Sequence, residues 1–270
     1  MRQTKATVIS NSEVMPGVYL IWLDSPQIAS QEAQPGQFVM VRCGEDTLLR
    51  RPLSVHQADG GKMALLLTIV GKGTHWLSQR KTGESIDIFG PLGNGYSIHP
   101  GSHNLLLMAG GIGVAPLVSL AQQAPKRECS ATLLLGAQTA SQLYPKNLLP
   151  SKVKLITATE DGTTGRKGLV TDLLPDFISW ADQVFACGPI SMYQTMAAQN
   201  LLKTKPVQIS LEVRMGCGLG ICYGCTIKTR SGLKQVCKDG PVFDLDAILW
   251  DKLQEEVTNY GNHQKNRSPE

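Results

Sequence analysis

The chain has 270 residues and a formal net charge of +4, with 42% hydrophobic and 18% charged residues. That is globular composition for about two domains and a small third module, with nothing near the roughly 18 unbroken apolar residues of a membrane span. The mild charge comes without any basic run interleaved with aromatics, so nucleic acid is not an expected partner.

The N-terminus, MRQTKATVISNSEV, lacks the apolar core and small-residue cleavage site of a secretory leader. Four of the seven cysteines crowd into one segment, which argues against a disulfide framework and makes a reducing cytoplasm the expected location. Residues 1–99 then read as six short strands between turn signals: ATVISNSEV, GVYLIWLDS, GQFVMVRCG, RPLSVHQA, KMALLLTIV and ESIDIFGPLG. This spacing predicts a small antiparallel β-barrel. Within it, Arg51-Pro52-Leu53-Ser54 follows a second arginine, Arg50. A guanidinium can grip a pyrophosphate through paired hydrogen bonds, although an arginine at a strand end serves equally well in a surface ion pair. Further on, Gly71-Lys72-Gly73-Thr74 opens a helix, where Gly73 and Thr74 can present amides and a hydroxyl to a diphosphate or simply cap the helix.

At residue 100 the rhythm changes to strand, glycine turn and helix, predicting an open parallel α/β domain over 100–205. Its first turn, AGGIGVAPL, follows an apolar strand. Gly110, Gly111 and Gly113 there allow a nucleotide pyrophosphate to approach the backbone, with Pro116 in the first helical turn. Further strands are expected at 131–137, 154–160 and 183–189, with helices over LVTDLLPDF and ISMYQTMAAQNLLK. Cys187-Gly188-Pro189 closes the last of these strands, at the sheet edge where such folds place a ligand, although a cysteine there can equally be a small buried hydrophobe.

Residues 206–250 hold Cys217, Cys222, Cys225 and Cys237 in the pattern C-x4-C-x2-C-x11-C, with Gly216, Gly218, Gly220 and Gly224 interleaved. Loops around a two-iron, two-sulfur (2Fe-2S) cluster place three thiolates on one tight loop and the fourth after a hairpin. Structural zinc is the other reading, but zinc knuckles favour two separated C-x2-C pairs and only one is present. Residues 251–270 form a polar tail, expected to be mobile at its end. The histidines at 56, 75, 99, 103 and 263 share no ligand spacing and read as structural or solvated, and Cys43 and Cys129 read as packing residues.

Taken in order, RPLS, GKGT, GGIGVAP and CGP resemble the ferredoxin-NADP reductase superfamily over about residues 5–245. The terminal cysteine segment, with TEDGTTGRKGLVTDLL and VCKDGPVF, is similar to that of the electron-transfer subunits of class 1B dihydroorotate dehydrogenases. The resemblance implies a flavin adenine dinucleotide (FAD) site at Arg51, Pro52, Leu53, Ser54, Leu66, Leu67, Thr68, Gly73 and Thr74. It further implies an NAD(H) site at Gly110, Gly111, Gly113, Cys187 and Gly188, and a 2Fe-2S cluster on Cys217, Cys222, Cys225 and Cys237. Leu53 departs from plant-type reductases, where a tyrosine stacks on the flavin, but matches the aliphatic residue of the dihydroorotate family. Gln138 and Thr139 after the second strand of the sheet, in place of an arginine for a 2′-phosphate, favour NADH over NADPH. The implied partner is a catalytic subunit containing flavin mononucleotide (FMN), in a heterotetramer of two copies of each chain. Subunits of electron-bifurcating ferredoxin reductases and of sulfide dehydrogenases or sulfite reductases share these motifs, but they often alter a cluster ligand. A zinc-stabilised redox-sensing protein without hydride transfer is a reading of a different class. No side-chain acid or base is assigned, because a flavin between a hydride donor and a one-electron cluster carries the chemistry itself.

Overall fold

A computed structural model describes residues 1–26, 33–45 and 47–253, so the predicted tail lies outside the described residues from 254 onward. The six predicted strands are β1 (Arg2–Met15), β2 (Val18–Asp24), β3 (Phe38–Val41), β4 (Arg51–Asp59), β5 (Lys62–Thr68) and β6 (Ser85–Leu92). They close into an antiparallel barrel in the order β1-β2-β5-β4-β3-β6. Period-two alternation fills it: Val8, Ile21, Leu23, Val39, Val55, Ile86 and Ile88 point inward, while Ser85 and Asp87 do not. Helix α1 (Lys72–Ser78) packs outside, and the Asn11 side-chain amide donates to the carbonyls of Leu77, Ser78 and Arg80 at its C-terminal end.

Strand β5 breaks the alternation with its run Ala64-Leu65-Leu66-Leu67 because both of its faces are covered. Met63, Leu65 and Leu67 fill the barrel, while Ala64 and Leu66 join a second core against the following domain. That domain is built on β7 (Asn104–Gly110), β8 (Ser130–Ala137), β9 (Lys154–Thr159), β10 (Arg166–Lys167), β11 (Gln183–Cys187) and β12 (Val207–Ser210). The sheet order is β10-β9-β8-β7-β11-β12 with a later strand, β15 (Val242–Asp244), at its edge, parallel except at that last strand. Helix α2 (Val114–Gln123) covers the face of Leu105, Leu107 and Phe185, and α3 (Leu174–Phe177) and α4 (Ile190–Ala198) cover the face of Leu106, Met108 and Val184. The predicted helix over LVTDLLPDF is shorter than the sequence suggests, its first turn being 3₁₀.

The sheet does not stop at residue 205. Val207–Ser210 is a full parallel partner of β11, and β15 (Val242–Asp244) returns from the cysteine segment to pair antiparallel with β12. Both lie within the predicted cluster segment, where the cysteines dominate the pattern and short strands give little periodic signal. Between them sit the cluster loop, the hairpin β13 (Thr226–Thr229) and β14 (Gly232–Gln235), and one helical turn, α5 (Val236–Asp239). The segment is therefore stitched into the sheet at both ends, and Asn94 bonds it to the barrel exit through the Gly240 and Asp239 carbonyls.

Candidate functional site

A cavity of 630 Å³ lies between the barrel and the end of the sheet. One wall is Arg51, Pro52, Leu53, Ser54 and Leu66, and the other is Ile112, Gly113 and Cys187 with the run Ser210–Met215. The two arginines of the RRPLS stretch have separate tasks. Arg50 makes two bonds to the Asp87 carboxylate, at 3.0 and 2.9 Å, and is committed to the barrel. Arg51 pairs with no carboxylate among the described residues. Its Nη1 donates to the Leu49 carbonyl at 2.6 Å, and its stem lies over Gly73, where an added Cβ would come within 3.0 Å of Nε. The structure thus brings the RPLS and GKGT stretches together, with a guanidinium free to meet an anion.

Three of the residues expected around FAD behave differently in detail. The Thr74 hydroxyl accepts from the amides of Val70 and Gly71 and donates to the Gly71 carbonyl, so it holds the turn and has nothing left for a diphosphate. Leu67 points into the barrel core, and its side chain cannot reach the cavity. Thr68 lines a second cavity. The strand's contribution to the first cavity is Leu66.

That second cavity, of 470 Å³, sits where the strand order turns between β7 and β11, the usual ligand position of an open α/β sheet. Gly110, Gly111 and Ile112 line it from one turn, Pro189 and Met192 from the other, and Gly136 to Gln138 from the end of β8. The three glycines divide their work. Gly111 has φ of +54° and open space where a Cβ would be, so it is the one that leaves its backbone open toward the cavity. Gly113 is jammed against the neighbouring turn, since a Cβ there would lie 2.1 Å from the Cys187 carbonyl oxygen. Gly110 meets Pro189 in the same way, at 2.7 Å. Of the two residues expected to read the nucleotide's far end, Gln138 lines the cavity, whereas Thr139 is engaged with Ser141.

Cys187 and Gly188 are held by Tyr193 of α4, a fully buried side chain that the sequence reading passed over. Its hydroxyl accepts from the Gly188 amide at 2.9 Å and donates to the Ser210 carbonyl at 2.7 Å. Burial pushes the Cys187 thiol up to about 12, with the Glu212 carboxylate adding to it, so the group facing the larger cavity is a neutral thiol. Glu212 lines the same cavity, and the walls around it raise its carboxyl above the usual range by desolvation. Nothing in the local sequence, Leu211-Glu212-Val213, marks it as a cavity residue.

The four cluster cysteines are all free thiols gathered on one loop and the turn that follows it. They lie close together, with Cys217 neighbouring Cys222, and Cys237 neighbouring both Cys225 and Cys217. Backbone amides point at the sulfurs, from Leu219 to Cys217 at 3.3 Å, Gly220 to Cys237 at 3.1 Å and Cys237 to Cys225 at 3.4 Å. Gly218 and Gly220, both at φ of +73°, turn the chain so that these amides face inward. Desolvation raises the Cys217 thiol, but the amides of Leu219, Cys222 and Ile221 outweigh it and bring the group down to about 6. Among the described residues no three metal-binding side chains meet at a single ion. Four thiols spread over a loop and a helical turn within a nest of amides suit a cluster that shares four thiolates between two irons better than one tetrahedral zinc.

Comparison with known proteins agrees with this arrangement. Residues 212–249 match the model of the iron-sulfur cluster binding domain of dihydroorotate dehydrogenase B, and residues 107–198 match that of the oxidoreductase NAD-binding domain. The chain is 38% identical over 257 residues to the dihydroorotate dehydrogenase B (NAD(+)) electron transfer subunit of Desulforamulus reducens, covering 91% of this chain and 98% of that one. It is 38% identical to the same subunit of Clostridium acetobutylicum, over 90% of this chain and 95% of that one. Among solved structures, an NADH-dependent reduced ferredoxin-NADP oxidoreductase, described in connection with flavin-based electron bifurcation, superposes with a TM-score of 0.86 at 31% identity, covering 96% of this chain and 95% of that one. A ferredoxin NADP+ reductase from Neisseria gonorrhoeae shares the fold, with a TM-score of 0.61 at 15% identity over 74% of this chain and 92% of that one. The chain belongs to the family of dihydroorotate dehydrogenase B (NAD(+)) electron transfer subunits, NAD-linked oxidoreductase components that combine FAD with an iron-sulfur cluster.

Proposed function

We propose that this chain exchanges electrons with NAD(H) in its 470 Å³ cavity, holds FAD in its 630 Å³ cavity, and passes electrons through a 2Fe-2S cluster on Cys217, Cys222, Cys225 and Cys237. The observation that carries the reading is continuity. The wall Ser210–Met215 of the flavin cavity runs directly into Cys217, so one stretch of chain borders the flavin and ligates the cluster. When bound, FAD supplies the conversion between a two-electron hydride and single electrons.

The protein's own residues position and insulate. Arg51 grips the diphosphate, Ser54 offers a hydroxyl, and Pro52, Leu53 and Leu66 form an apolar wall for the ring system. Cys187, as a neutral thiol, borders the nicotinamide without competing for charge. Gly111 opens the β7 turn to the dinucleotide backbone, while Gly110, Gly113 and Gly188 keep the two turns packed together.

The electron partner is a separate FMN-containing subunit that oxidises dihydroorotate, assembled with this chain as a cytoplasmic heterotetramer of two copies of each. The surface around the cluster supports such docking: Ile221, Tyr223 and Leu233 are 70%, 69% and 69% exposed, and Cys222 between them is exposed as well. No helix among the described residues is long and apolar enough to cross a membrane. The likeness to the NADH-dependent ferredoxin-NADP oxidoreductase favours a second reading, in which the partner belongs to a bifurcating complex. Anaerobic purification from the native host separates the two. A dihydroorotate-oxidising flavoprotein that co-purifies and links dihydroorotate to NAD+ reduction supports the first, and a ferredoxin-reducing partner supports the second. A preparation that stays colourless after reconstitution with FAD, iron and sulfide refutes both.

A further inference from the structure

We propose that Glu160, at the end of β9, is the residue that makes the dinucleotide cavity select NAD(H) over NADP(H). The inference rests on the reading of the 470 Å³ cavity as the NAD(H) site. Glu160 lines that cavity beside Gln138 and Gln142, and its backbone amide donates to the Ala137 carbonyl at 3.1 Å, which fixes it against the end of β8. Its carboxylate makes no hydrogen bond or ion pair with any described residue. A free carboxylate at a strand end of an open α/β sheet can accept from the ribose hydroxyls of an adenosine, and it repels a phosphate placed on the same hydroxyl.

The rest of the lining agrees. Among the described residues it contains no lysine, arginine or histidine. Of the two cations next along the chain, Arg166 pairs with Asp176 at 2.8 Å, and neither it nor Lys167 lines the cavity. Thr171 lines the same cavity with its side chain 2% exposed, and its hydroxyl oxygen is buried without a partner. A buried hydroxyl left unpaired costs stability unless a ligand completes it, which marks Thr171 as a contact for whatever dinucleotide enters. The division of labour is then specific. Thr171 adds affinity for any dinucleotide, and Glu160 discriminates at the 2′ position.

The test uses the FAD- and cluster-loaded chain with ferricyanide as electron acceptor. kcat/KM is measured for NADH and NADPH in the native protein and in Glu160→Gln, Glu160→Arg and Thr171→Val, each checked for retained flavin and cluster absorption. The native chain should prefer NADH. Glu160→Gln should cut that preference by about tenfold or more, through a lower KM for NADPH, since a phosphate carries roughly −1.5 to −2 charges. Glu160→Arg should cut it further, and the gain should shrink at high salt. Thr171→Val should weaken both substrates by similar factors and leave their ratio unchanged. An NADH-oxidising native chain whose preference survives both Glu160 substitutions overturns the role of Glu160 alone. A flavin that dithionite reduces but neither nucleotide does overturns the NAD(H) reading, and the inference with it.

Discussion

His56 ties the two nucleotide-binding domains together, and its titration should be visible in the stability of the whole chain. It lies on β4, fully buried, with Nδ1 2.8 Å from the Ala115 carbonyl of α2 and Nε2 2.9 Å from the Tyr144 hydroxyl. The carbonyl can only accept, so Nδ1 carries the proton and Nε2 accepts from tyrosine. Burial lowers the histidine from 6.5 to about 4, against a smaller opposing pull from the Ala115 carbonyl. The sign follows. Between those values the unfolded chain binds a proton that the folded chain refuses, so stability is intact above about 6.5 and is lost as the pH falls toward 4. The gap is worth about 3 kcal/mol in full, and about 2 kcal/mol of it is lost by pH 5. The perturbation is His56→Asn, which keeps an amide donor near the carbonyl but does not titrate. Urea midpoints for the loaded native chain and the variant, at pH 7.5 and pH 5, give a double difference in which other titrating groups cancel. The native chain should lose about 2 kcal/mol more than the variant on acidification. Equal losses would refute the account, because a histidine already charged or exposed in the folded chain gives no such difference. Ala115 also lines the 630 Å³ cavity, so on the proposed reading the latch sets the floor on which FAD would rest.

Arg51→Ala should weaken FAD binding by about 10- to 100-fold, measured by flavin retention on dilution, the range expected for a lost charge-assisted contact. Arg50→Ala, one residue away, should leave FAD affinity within a fewfold and instead cost about 1 kcal/mol of stability, because it leaves the partly buried Asp87 with only the Gln3 amide as side-chain partner among the described residues. Cys222→Ser should bleach the cluster absorption while the flavin remains, sparing NADH-to-ferricyanide turnover and abolishing transfer to the catalytic partner. Ile221→Asp with Tyr223→Asp should leave both chromophores and NADH oxidation intact, yet weaken the complex with the partner at least about tenfold by sedimentation or light scattering.

The sequence reveals most where a residue's role is local. Alternation along β1 and β6 marks the barrel because one face of each strand is wet, and the cysteine spacing marks the cluster loop because ligation constrains neighbours along the chain. Roles set by which side of a strand is covered, or by what a distant segment brings, leave no such mark. Leu66 and Leu67 are adjacent and alike, yet one faces the 630 Å³ cavity and the other the barrel core, a difference decided by the domain that packs on β5. Thr74 has the residue type of a phosphate ligand, but its hydroxyl is spent on the turn it occupies. Expecting cofactor selection at Gln138 and Thr139 was sound chemistry applied to one strand end, and the sheet order adds a second. Strand β9 lies beside β8, so the chain leaving it borders the same cavity, and Glu160, a carboxylate far along the chain from the glycine turn, joins the lining. In an open parallel sheet the ligand is read by neighbours in strand order, and candidate specificity residues are therefore best sought at the end of every strand that flanks the switch point.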